Sequence, residues 1–101
     1  MLRKLFAIYD VKAEFFMGPY CYRTIGEAQR EFSALANDMN TAVGKNPEDF
    51  SLFELGSFDD TSGMVTMDAQ PMQVRTGLQA VQSNVVDLNR GNGNAEVQSE
   101  T

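Results

Sequence analysis

The chain predicts an α+β fold: a small antiparallel sheet in β-β-α-β-β order with one helix on one face and a flexible C-terminal tail. Three observations lead there. Short apolar and aromatic runs bounded by Gly, Pro, Asn and Asp lie on both sides of a single stretch of helical periodicity. That stretch opens with a capping signature, Thr24-Ile25-Gly26-Glu27. Beyond Asp68 the aromatic residues stop and Gln, Asn and Gly take over.

In chain order, Leu5 to Val11 carries apolar groups on both faces of an extended segment, as a central strand would. Phe15 to Arg23 is rich in aromatic residues but broken by Gly18-Pro19. Because proline lacks the ladder N–H, this second strand is expected to be bulged or to begin properly at Tyr20. The helix follows, with Ile25, Ala28, Phe32, Leu35, Ala36 and Met39 at helical spacing and Glu27, Arg30, Glu31, Asn37 and Asp38 on the other side. Asn40 to Asp49 reads as a loop back to the sheet.

Phe50 to Phe58 is the third strand, with Phe50, Leu52, Glu54, Gly56 and Phe58 on one side and Ser51, Phe53, Leu55 and Ser57 on the other. Asp59 to Gly63 is a turn, and Met64 to Met67 a fourth strand. The folded domain is thus expected over residues 1–69 and the tail over 70–101. Leu78, Val81, Val85 and Leu88 suggest a short helix, 77–89, with Thr76 as its cap. The extreme end, without core-forming residues, is expected to be disordered.

Composition narrows the function. With 101 residues, 43% of them hydrophobic, the chain can bury one core. Eight Lys and Arg against 14 Asp and Glu leave a net charge of −6, which speaks against a general nucleic-acid coat. One cysteine and no histidine exclude an internal disulfide and the thiolate and imidazole zinc sites, so no metal and no cofactor is expected. Cys21 has no histidine base to activate it and reads as structural. Asp59 and Asp60 suit a turn better than the wider ligand spacing of a calcium loop, and Glu48-Asp49 suits a solvated loop better than an acid–base dyad. No phosphate loop or nucleophile elbow is present, and an enzyme is not expected. The apolar run near the N-terminus is too short for a signal peptide or a membrane span, so a reducing, soluble compartment with no membrane contact is expected.

One region stands out against the acidic background. Residues 1–24 carry Arg3, Lys4, Lys12 and Arg23 against Asp10 and Glu14, together with Tyr9, Phe16, Tyr20 and Tyr22. Rings on a sheet beside cations can hold a single strand, since every base offers a face to stack on and every phosphate wants a counter-charge. The plainer alternative makes half of these rings core and the charges solvated. The tail stripe has a similar double reading, as a docking helix for a partner or a second copy, or as a loose end.

The segment Leu5-Phe-Ala-Ile-Tyr-Asp10, the run Gly26-Glu27-Ala28 with Phe32, and above all Pro47-Glu-Asp-Phe-Ser-Leu-Phe-Glu-Leu-Gly-Ser-Phe-Asp59 resemble the small nonstructural protein of gokushovirus-type Microviridae, single-stranded DNA phages. The likeness spans Leu5 to Met67, about two thirds of the chain. It implies a phage protein made in the host cytoplasm, absent from the finished capsid, and assisting single-stranded DNA genome synthesis or packaging. It could do so by weak single-stranded DNA binding through the basic, aromatic hairpin, or as a dimeric adaptor that docks on phage or host replication or prohead proteins without touching DNA.

Overall fold

In the computed structural model, which describes residues 1–81, four antiparallel strands form one open sheet in the order β2-β1-β3-β4. The strands are β1 Leu2–Asp10, β2 Phe15–Tyr22, β3 Phe50–Asp59 and β4 Val65–Thr76. Helix α1, Ile25–Ala36, links β2 to the segment that returns to β3. This is the α+β sheet-and-helix architecture expected, with β1 inside the sheet as its two-sided apolar pattern requires.

The start of α1 follows from its sequence. The Glu27 N–H, an orphan donor of the first turn, donates to the Thr24 hydroxyl at 3.1 Å, and the Glu27 carboxylate reaches back past the cap to accept from the Arg23 N–H at 2.8 Å. Its buried stripe is Ala28, Phe32 and Ala36. These meet Phe6, Ile8, Phe50 and Leu52 from the sheet, with Val43 and Ala80 completing the core. Ile25, Leu35 and Met39, expected on the same face, stay exposed. Met39 lies beyond the last helical residue, and Leu35 sits on the flank of the buried stripe.

Three differences from the sequence reading matter for the site. The segment Asn40 to Asp49 is not a plain loop. It holds a short helix, α2 Ala42–Lys45, capped by the Thr41 hydroxyl on the Gly44 N–H at 3.0 Å, and a 3-10 turn at Pro47–Asp49. The fourth strand runs to Thr76 rather than ending at Met67, so the sheet continues through residue 69, where the domain boundary was expected. Pro71 falls in an irregularity of this edge strand: Met72 pairs with Glu54 and Met67 with Gly56, so residues 68–71 have no partner on β3 and the missing proline N–H costs no ladder bond. Finally, Leu55 is an extra residue against β1, because Leu5 pairs with Gly56 and Phe6 with Glu54. Strict alternation therefore fails. Phe50 and Leu52 point to the helix side, whereas Gly56 and Phe58 fall on the opposite face.

The chain turns helical again at 77–81, with a reciprocal cap: the Gln79 N–H donates to the Thr76 hydroxyl at 3.1 Å and the Gln79 side chain accepts from the Thr76 N–H at 2.9 Å. Gly77 is buried against the Pro47 backbone, closer than any side chain would allow. The predicted helix 77–89 thus begins where the Thr76 cap placed it. Its remainder and the Gln/Asn-rich end lie outside the described residues.

Candidate nucleic-acid interface

Helices α1 and α2 and the helical turn at 77–81 contribute to a core on one side of the sheet. The other face is left without a helix among the described residues. Because directly opposed residues in an antiparallel ladder share a face, the register sorts the hairpin side chains between the two. Phe6 pairs with Tyr20, Ile8 with Met17 and Lys4 with Tyr22, all on the helix side. Tyr9 pairs with Phe16, and Leu5 with Cys21, on the open side. The second strand skips Gly18 and Pro19 at a bulge opposite Ala7, as the Gly-Pro sequence suggested.

On the open face three rings meet. Tyr9 and Phe16 lie 4.7 Å apart by ring centroid, Phe16 and Phe53 5.4 Å in an edge-to-face arrangement, and Tyr9 and Phe53 6.4 Å. Beneath them Leu5 and Ala7 are buried, while Phe16 keeps 43% of its surface exposed. Phe53 joins the cluster by pairing with Ala7 of β1, which the composition of the hairpin could not show.

The eight expected contact residues do not form one surface. Tyr9, Phe16 and Arg3 are on the open face; Lys4, Tyr20 and Tyr22 are on the helix side; Lys12 is exposed in the β1–β2 turn and Arg23 is exposed between β2 and α1. Tyr22 packs on Phe6 at 5.9 Å and belongs to the edge of the core. Two of the four cations are engaged: Arg3 Nε lies 2.9 Å from the Asp60 carboxylate, and Lys4 Nζ lies 3.7 Å from Glu54. Asp60 also accepts from the Met1 amine at 2.9 Å. The Met1 amine, then the Arg3 guanidinium, hold the Asp60 carboxyl below its ordinary range, while the Thr61 backbone N–H does most to lower that of Asp59.

The acidic turn is thus a structural one: Asp59 accepts from the Thr61 N–H at 2.9 Å, and Gly63 takes the positive φ that closes the reversal. Among the described residues no group of three or more Asp, Glu or Cys side chains could hold a metal. No described helix is long and apolar enough to cross a membrane. Cys21 is exposed on the β2 edge rather than buried.

The family model for phage ORF5 proteins matches residues 3–80. The chain belongs to that phage family. The match takes in β1 from Arg3 onward, the other three strands, α1 and Ala80, so it covers nearly all of the described fold. No curated protein and no solved structure gives a match.

Proposed function

We propose that this phage ORF5 protein binds single-stranded DNA weakly on the open face of its sheet and so assists synthesis or packaging of a single-stranded genome in the host cytoplasm, as a binding protein rather than an enzyme. The observation that carries this is the Tyr9–Phe16–Phe53 cluster on a face that no described helix covers. Stacking on an aromatic side chain is worth about 1–3 kcal/mol per base and needs no particular sequence. Arg3, whose guanidinium Asp60 already engages, and Lys12 in the β1–β2 turn supply what phosphate contact there is. With so few cations and a net charge of −6, affinity is low. The test is fluorescence anisotropy with a labelled oligonucleotide. Binding is expected at about 50 mM salt and is lost at higher salt. Phe16→Ala together with Phe53→Ala weakens it by roughly tenfold or more, and absence of binding at low salt ends the proposal.

A second reading has its own support: the cations are scattered over both faces and two of them are engaged by carboxylates. It makes the protein a dimeric adaptor for replication or prohead proteins of a Microviridae-type phage, with the aromatic face as its contact. Light scattering and capture by purified phage proteins distinguish the two. A dimer that captures a phage protein, loses it on Phe53→Ala and ignores the oligonucleotide favours the adaptor.

A further inference from the structure

On the helix side, between the flank of α1 and strand β2, lies an open cleft of about 400 Å³, within the roughly 300–1,000 Å³ span of ligand clefts. Its floor is apolar, made by Ile8, Phe32 and Leu52, with Tyr20 and Tyr22 from β2 forming one wall. The other wall is the flank of α1, where Glu31 and Leu35 project one turn apart, continued by Asp38 in the turn that follows the helix. We infer that this cleft receives an arginine or lysine side chain from a basic peptide segment of a partner protein.

Four features of the cleft support that occupant. The floor matches an alkyl stem, which long basic side chains lay along apolar surface while the charged head stays at the rim. The rings of Tyr20 and Tyr22 offer π-faces to a cation. Glu31 and Asp38 can accept charge-assisted hydrogen bonds there; one Asp38 oxygen takes the Asn40 N–H at 2.9 Å, leaving the other. Among the described residues, no cationic one lines the cleft. Burial first, then the charge of Glu31, raises the pKa of Tyr22 on the opposite wall. A peptide suits better than a small free amine because apolar surface continues past the mouth. Tyr20 and Leu35 are exposed on its lips and Met39 beyond them. Tyr20 and Tyr22, candidates for base stacking by composition, thereby face a cation on the side of the molecule opposite the aromatic DNA face.

The test titrates a fluorescein-labelled Arg-Ser repeat peptide into the full chain by anisotropy. Glu31→Gln with Asp38→Asn is expected to weaken binding by roughly tenfold or more, and Tyr20→Ala to weaken it further. Glu48→Gln with Asp68→Asn, which removes the same charge outside the cleft, is expected to change it by less than about twofold. Equal losses from both pairs reduce the effect to bulk charge and overturn the proposal. Spermine binding as tightly as the peptide, with the same dependence on Glu31 and Asp38, assigns the cleft to a free polyamine and overturns it too, as does absence of peptide binding.

Discussion

At the scale of single residues, Phe32 is the joint between helix and sheet. It is buried to 1% exposure among Phe6, Ile8 and Leu52. Phe32→Ala is expected to cost about 3–5 kcal/mol, because the cavity left between a helix and a sheet collapses poorly; urea unfolding followed by circular dichroism measures it. Asp60 acts by charge. Its carboxyl is held below the ordinary range by the Met1 amine and Arg3, so its contribution is present above the unfolded carboxylate value and disappears as the pH falls through the folded one. An acid titration of thermal stability should therefore show a shallower acid limb in Asp60→Asn than in the parent, and parallel limbs would refute this. The motif Pro47 to Asp59 was legible as strand and turn, yet the face of Phe53 was not, since facing depends on pairing with Ala7.

At the scale of elements, the two edge strands and the C-terminal end are held in different ways. Each edge strand breaks its register at its own proline, Pro19 in β2 and Pro71 in β4. A proline in a bulge removes a donor and bends the strand, a device that blocks strand addition. The segment 77–81 belongs to the core, since Ala80 is fully buried and Val81 packs against the same cluster. Truncation after Val81 is expected to keep the melting temperature within a few degrees of the parent. Truncation after Thr76 removes Ala80 and the buried Gly77, and should lower stability by about 1–3 kcal/mol. Deleting the tail from Thr76 onward would for this reason confuse loss of fold with loss of a docking helix, and a stop after residue 81 is the cleaner probe. The long fourth strand escaped sequence reading because it has no aromatic residue and little alternation; it is held by the ladder to β3, not by burial.

At the scale of the whole molecule, one sheet separates two surfaces of different chemistry. The open face presents rings with few cations; the helix side presents a cleft with two carboxylates. If they are separate sites, Glu31→Gln with Asp38→Asn should alter oligonucleotide affinity no more than Glu48→Gln with Asp68→Asn does, whereas Phe16→Ala with Phe53→Ala should leave the peptide affinity unchanged. Anisotropy with each probe on the three double variants checks this. Cross-effects above about threefold would mean one coupled surface.

The sequence by itself determined the fold class, the central place of β1, the capped start of α1, the acidic turn and the helical start after Thr76. Each of these rests on local chemistry: alternation, side-chain hydrogen bonds to nearby backbone, and the φ freedom of glycine. Only the tertiary structure decided which side chains share a face. A single extra residue at Leu55 moves Phe58 to the side opposite Phe50, the register brings Phe53 to Tyr9 and Phe16, and the same register carries Tyr20 and Tyr22 away from them. Facing is set by which strand pairs with which and by where a bulge interrupts the period of two, and neither is written in any one segment.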